Sequence, residues 1–200
     1  DRTMPEEINR LLTDAISDLL LCSEQSGVDN LLREGVPKEK VFLVGNVMID
    51  TLLKNRAKAE GSTIIQELGL SPGDYALLTL HRPSNVDEPD CLRELVSTLD
   101  ELSRDRPVLF PVHPRTRSRM RELSISPRSG GALRLLDPLS YPEMLGLVQA
   151  AELVITDSGG VQEETSYLGI PCLTVRPNTE RPITCTEGTN RLVAPRGGAI

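Results

Sequence analysis

Residues able to move protons or hold anions recur in this sequence at the points where short apolar runs stop. The fullest case is Thr156-Asp157-Ser158-Gly159-Gly160-Val161-Gln162-Glu163-Glu164, where an apolar run meets a Ser-Gly-Gly turn and then a helical pattern. Glycines let a ligand approach the backbone closely, and the unpaired N–H groups of a first helical turn attract an anion. Ser158 adds a hydroxyl, so Ser158, Gly159 and Gly160 form a candidate diphosphate cradle. Glu163 and Glu164 would repel a phosphate if they faced it; a carboxylate in that helix is better suited to ribose hydroxyls. The stretch lacks a P-loop lysine and GxGxxG spacing, and it reads equally as a glycine-rich turn with dipole-favoured glutamates.

Two further runs end on histidine. Thr79-Leu80-His81-Arg82-Pro83-Ser84-Asn85 sets an imidazole beside a guanidinium, a pair that can hold a phosphate and move a proton. Pro111-Val112-His113-Pro114-Arg115 repeats the arrangement, so both histidines of the chain stand at such ends. In Arg176-Pro177-Asn178-Thr179-Glu180-Arg181-Pro182, Arg176 and Arg181 could cap phosphate or uracil with Glu180 orienting one of them. The alternative there is a surface ion pair of little consequence. Pro5-Glu6-Glu7-Ile8-Asn9-Arg10, taken alone, is an ordinary acidic helix start. No spacing suits a metal, and neither GxSxG nor a Cys–His nucleophile pattern occurs.

These residues need elements to position them. Apolar runs of strand length fall at Asp18–Ser23, Val41–Gly45, Tyr75–Leu80, Val108–His113, Leu133–Asp137, Leu153–Ser158 and Cys172–Arg176, with a shorter one at Arg191–Ala194. They are continuously apolar rather than alternating, as in parallel strands covered on both faces. Between them, Pro89–Leu102 places Leu92, Leu95, Val96 and Leu99 on one helical face, and Tyr141–Ala151 does the same with Met144, Leu145, Val148 and Gln149. Pro5, Pro114 and the pair Ser140 and Pro142 mark helix starts. The alternation predicts an α/β fold with a doubly wound parallel sheet, whose ligands bind beyond the carboxyl ends of the strands. A domain boundary is expected near Gly45-Asn46, and Ser124–Gly131 reads as a solvated connector.

Composition narrows the partners. A net charge of −7 is a poor match for a nucleic-acid backbone or an anionic membrane, although a small phosphorylated ligand needs only a few donors. Aromatics at 2% and the absence of Trp argue against base-stacking platforms. No apolar run approaches the roughly 20 residues that span a bilayer, and Asp1–Arg10 is charged rather than signal-like. Cys22, Cys91, Cys172 and Cys185 have no CxxC pairing and are expected to be reduced, mostly buried thiols in a cytoplasmic protein. The opening at Met4–Arg10 reads as mid-domain sequence, and Gly197–Ile200 ends without a closing helix, so a longer parent chain is expected.

Taken in order, the blocks PEEINR at 5–10, EGV at 34–36, VGNVMID at 44–50 and TLHRPSN at 79–85 resemble the non-hydrolysing UDP-N-acetylglucosamine 2-epimerases. So do PVHPRT at 111–116, DPLSYPEML at 137–145, TDSGGVQEE at 156–164, and RPNTERP with a later EGTN at 176–190. The resemblance implies two Rossmann-like halves in the glycosyltransferase-B arrangement, with residues 1–44 ending the first and 45–200 forming most of the UDP-binding second. It implies interconversion of UDP-N-acetylglucosamine and UDP-N-acetylmannosamine by elimination and re-addition of UDP, without nicotinamide or metal, in a homodimer. The isolated piece is expected to be inactive.

By the same resemblance Glu6 is the acid/base residue, with Glu7 as its alternate, and His81 the catalytic histidine by the diphosphate. Ser158, Gly159 and Gly160 bind phosphate, Glu164 binds ribose, and Arg181 is a diphosphate or structural residue. Arg82 and His113 match positions that hold a second, activating UDP-N-acetylglucosamine. Ser84 stands where HRxEN versions have glutamate, a departure that bears on the activator site; Ile183 stands where TERPE versions have glutamate, which points to a related UDP-sugar such as a diacetamido uronic acid. A hydrolysing epimerase and a retaining transferase of the same architecture are the neighbouring alternatives.

Overall fold

The computed structural model describes residues 5–128 and 131–195. Two residues of the expected connector, 129 and 130, and the expected chain end at 197–200 therefore lie outside the described residues. The chain divides into two compact units, Asp1–Asp50 and Thr51–Ile200.

The first unit holds α1 (Pro5–Ile16), β1 (Leu20–Cys22), α2 (Gln25–Arg33), a 3-10 turn at Lys38–Lys40 and β2 (Val41–Leu43). The two strands pair in parallel, Leu20 opposite Val41. Leu20, Cys22 and Leu31 are its buried centre. Arg10 on α1 bonds Glu7 and Asp14 of its own helix and Glu34 just beyond α2, tying the two helices together.

Helix α3 (Val47–Glu60) leads into the second unit. There follow α4 (Ile64–Glu67), β3 (Ala76–Thr79), α5 (Pro83–Val86), α6 (Pro89–Leu102), β4 (Val108–Pro111), α7 (Pro114–Glu122) and β5 (Leu133–Leu136). The chain continues with α8 (Tyr141–Ala150), β6 (Leu153–Thr156), α9 (Gly159–Leu168), β7 (Cys172–Val175), α10 (Ile183–Thr186) and β8 (Asn190–Val193). Each expected apolar run carries a strand, trimmed or shifted at its ends, because pairing stops where the chain turns toward a helix. Helix α6 occupies the expected Pro89–Leu102, Pro114 and Ser140 do open their helices, and Pro5 is the first described residue of α1.

Among the described residues of this unit the six strands are all parallel, in the order β5-β4-β3-β6-β7-β8. The chain builds outward from β3 to β5, then returns to the centre with β6 and builds the other way. The loops after β3 and β6 therefore diverge from adjacent strands, which is the switch point where such sheets hold ligands.

Both faces are covered, and this is why the strands read as unbroken apolar runs. Ala76, Leu78 and Leu80 of the β3 segment face Leu92, Leu95, Val96 and Leu99 of α6, together with Val108 and Phe110. Tyr75 and Leu77 face the other way, into Leu147 and Val148 of α8 and Ile64 of α4. The Tyr75 hydroxyl meets its bonding need by donating to the Leu147 carbonyl at 2.8 Å. The cysteines are all free; Cys22 and Cys172 are buried, whereas Cys91 and Cys185 are half-buried.

Phe110 is fully buried between β3, β5 and α6 neighbours. Phe110→Ala is expected to lower unfolding free energy by about 3–5 kcal/mol, measured as the shift of the urea midpoint at constant slope.

Candidate active site

Strands β3 and β6 run in register with Thr79 opposite Thr156, and their hydroxyls meet at 2.5 Å. Past that point one strand delivers His81 and Arg82, and the other delivers Asp157 and Ser158. The Asp157 carboxylate is wholly buried and gathers donors from the opposite loop. Its Oδ1 lies 2.8 Å from His81 Nδ1. Its Oδ2 accepts the backbone N–H groups of His81 at 2.9 Å and Arg82 at 2.8 Å.

Asn85 of α5, also fully buried, donates one amide hydrogen to Asp157 Oδ2 at 3.1 Å and the other to the Val175 carbonyl at 3.0 Å. Burial works against the charge on Asp157. The bonds from the His81 ring and from the backbone of Arg82 and His81 outweigh it and hold the carboxyl below the usual carboxylate range.

Ser158 caps α9, its Oγ accepting the Val161 N–H at 3.5 Å. Gly159 and Gly160 are the first helical residues, where backbone N–H groups have no intrahelical partner. A Cβ on Gly159 would sit 3.0 Å from Glu180 Oε1, a tight contact that the flexible end of that side chain would have to ease by a few tenths of an ångström. Glu180 accepts Arg176 at 2.7 Å and Arg82 at 3.3 Å. Burial again opposes its charge, but its own backbone N–H and the two guanidinium groups prevail and lower its pKa.

The two glutamates that would oppose a phosphate are already engaged. Glu163 pairs with Arg181 Nε at 2.8 Å, and Glu164 Oε1 accepts the Tyr141 hydroxyl at 2.7 Å. Burial pushes the Glu164 carboxyl up, and the Tyr141 bond offsets part of that rise. Buried Gln162 fastens the RPNTERP loop to α9 by accepting Thr179 Oγ1 at 2.7 Å, and it also accepts Nδ2 of Asn190, at the start of β8, at 3.2 Å.

His113 caps α7, its Nδ1 accepting the Arg115 N–H at 3.2 Å. Its ring lies 5.8 Å from that of His81, tilted by 42°. Arg115 in turn holds Asp87, just past α5, through both arms of its guanidinium. A cleft of about 200 Å³ opens beside the two histidines, bounded also by Thr79, Pro138, Leu139 and Met144.

His81, Arg82, His113, Ser158, Gly159, Gly160 and Arg181 thus belong to the loops and helix starts beyond β3, β4, β6 and β7, and Glu164 to the second turn of α9. Glu6 and Glu7 belong to the first unit, where Glu6 is exposed on α1 and Glu7 bonds Arg10 at 2.9 Å. Asp157, Asn85, Gln162 and Tyr141 were not singled out from the sequence. Asp157 left a trace there, an acidic residue set directly after a strand buried on both faces. Asn85 left none, because its role depends on a strand 90 residues away.

Residues 1–200 match the family model described as UDP-N-acetylglucosamine 2-epimerase. The UDP-N-acetylglucosamine 2-epimerase of Methanocaldococcus jannaschii is 44% identical over 200 residues, covering 96% of this chain and 55% of that protein. The UDP-2,3-diacetamido-2,3-dideoxy-D-glucuronate 2-epimerase of Pseudomonas aeruginosa is 41% identical over 194 residues, covering 95% and 52%. Among solved structures, the M. jannaschii enzyme in complex with UDP-GlcNAc and UDP superimposes with a TM-score of 0.90 at 42% identity, over 100% of this chain and 56% of that one. The chain spans about half the length of the curated relatives it matches.

Glu164 and Asp157 pull stability in opposite directions with pH. The Glu164 carboxyl titrates above its unfolded value, so its ionisation costs stability at neutral pH, and acidification through the folded value relieves the cost. Asp157 titrates below its unfolded value, so its contribution is present above the usual carboxylate range and is lost as pH falls through the folded value. Glu164→Gln keeps an acceptor for Tyr141 and is expected to raise the urea midpoint at neutral pH, with the gain vanishing in acid. A midpoint offset that does not change with pH would contradict this.

Proposed function

The chain belongs to the UDP-N-acetylglucosamine 2-epimerase family, and from that premise we propose that the protein carrying it interconverts UDP-N-acetylglucosamine and UDP-N-acetylmannosamine. The observation that carries the reading is one adjacency. The anion-attracting start of α9 and an imidazole bonded to a buried carboxylate leave neighbouring strands of one sheet at its switch point. A diphosphate needs the first, and a leaving group that develops charge needs the second.

In the proposed reaction a base removes the proton on the sugar's second carbon. The C1–O bond breaks with its electron pair departing on UDP, and a C1=C2 double bond forms in a glycal intermediate. Return of the proton to the opposite face, with re-addition of UDP, completes the inversion. Glu6 is assigned to the proton on carbon, with Glu7 as its alternate. His81 is assigned to the leaving diphosphate, which Ser158 and the N–H groups of Gly159 and Gly160 cradle. Glu164, held by Tyr141, is assigned to ribose, and Arg181 supports the cradle through Glu163. Arg82 and His113 are assigned to a second, activating UDP-N-acetylglucosamine.

Residues 1–44 are read as the end of one Rossmann-like half and 45–200 as most of the other. The exposed Leu19, Leu21, Phe42 and Leu43 of the first unit support this, since a two-stranded sheet buries too little to stand alone. A cytoplasmic homodimer supplying sugar nucleotides for polysaccharide synthesis completes the proposal.

A second reading is favoured by Ile183, which stands in place of a glutamate and is 47% exposed at the start of α10. With a relative that is named for UDP-2,3-diacetamido-2,3-dideoxy-D-glucuronate at 41% identity, that sugar is the alternative substrate.

Proton NMR of the full-length protein with UDP-N-acetylglucosamine in deuterated buffer is expected to record deuterium entering the second carbon and the epimer accumulating still joined to UDP. Free N-acetylmannosamine would move the assignment to a hydrolysing enzyme. Exchange only with the diacetamido uronic acid substrate would establish the second reading.

A further inference from the structure

An imidazole has two nitrogens, and the bond made by one decides what the other offers. At His81 that bond is made by Asp157. The carboxylate is fully buried and the imidazole 39% exposed, so the ring reaches from the protein interior toward the cleft. The other contacts of Asp157 cannot reverse direction. The backbone N–H groups of His81 and Arg82 only donate, and the Asn85 amide is oriented by its second hydrogen, given to Val175. The carboxylate is therefore an acceptor at every contact, and the nitrogen facing it, Nδ1, must carry a hydrogen.

Charge adds to this. Among the described residues no arginine or lysine pairs with Asp157; its charge is met by amide dipoles and by the imidazole alone. A buried carboxylate without a fixed counter-ion needs each of these donors, the hydrogen on Nδ1 among them.

We propose that Asp157 is a positioning residue that locks His81 with its hydrogen on Nδ1 and presents Nε2 to the leaving diphosphate; this rests on the UDP-sugar reading above. As the C1–O bond breaks, its electron pair collects on a phosphate oxygen of UDP. The hydrogen on Nε2 of the protonated ring passes to that oxygen, leaving neutral imidazole with Nδ1–H still bonded to Asp157. On re-addition the proton returns to Nε2 as the C1–O bond reforms. Asp157 never gains the proton and never meets substrate; it acts through His81.

The test uses full-length protein labelled with ¹⁵N-histidine, the His81 signals being assigned by their loss in His81→Gln. In wild type the neutral ring is expected to carry its hydrogen on Nδ1; a hydrogen on Nε2 instead overturns the proposal and needs no variant. Asp157→Asn is expected to move that hydrogen and to lower kcat for epimerisation by about 100-fold, with KM changed by less than about 3-fold. In the His81→Gln background the same substitution is expected to cost less than about 3-fold further, because both changes remove one interaction. An equal loss in both backgrounds, or an unmoved hydrogen, overturns the proposal. Calorimetric binding of UDP to Asp157→Asn checks that the variant is folded. If wild type turns over neither UDP-sugar, the activity reading fails, while the nitrogen assignment still decides the positioning of His81.

Discussion

A carboxylate with no water around it must have every lone pair answered, and Asp157 has its partners drawn from one loop and one short helix. That requirement ties β6 to the segment after β3, and, through Asn85, to the end of β7. The groups so fixed are the ones that could act on a ligand. His81 is held at its ring and at its backbone, and Arg82 at its backbone, while Ser158 is the next residue along the chain. Removing the carboxylate would leave two backbone N–H groups and one hydrogen of the Asn85 amide without partners, each a cost comparable to a lost hydrogen bond. Local order in the site therefore follows from one buried charge more than from the apolar core beneath it.

The second consequence concerns charge. An acidic chain of net −7 with glutamates in the helix above its anion cradle looks self-defeating on composition. The structure resolves the conflict by committing each carboxylate elsewhere. Glu163 goes to Arg181, Glu164 to Tyr141, and Glu180 to Arg82 and Arg176. What remains toward the turn is the helix start itself, with the Ser158 hydroxyl and two glycine N–H groups. Fixed dipoles of this kind bind an anion without carrying a net charge, so the site does not need a basic protein around it.

The sequence spoke clearly wherever the signal was local. Continuous apolar runs placed the strands, and three-to-four spacing placed α6 residue for residue, because both periodicities reflect burial by immediate neighbours. The ordered motifs, from PEEINR to RPNTERP, carried the family resemblance, and both histidines and the Ser158-Gly159-Gly160 turn do stand just beyond strand ends. Asn85 and Tyr141 were not legible in this way. A buried asparagine within a four-residue helix, or a tyrosine opening α8, has no periodicity to betray it, since its partner lies 72 or 23 residues away along the chain.

By itself, then, the sequence determined which residues end strands, which segments are helical, and which types gather where ligands bind in an α/β sheet. Only the tertiary structure decided that β3 and β6 are neighbours, and hence that His81 meets Asp157 rather than another acid. The physical reason is that strand order is a matter of long-range pairing between runs that are all apolar and interchangeable in pattern. Hydrogen-bond partners across that pairing are chosen by the register, here Thr79 against Thr156, which no local spacing encodes.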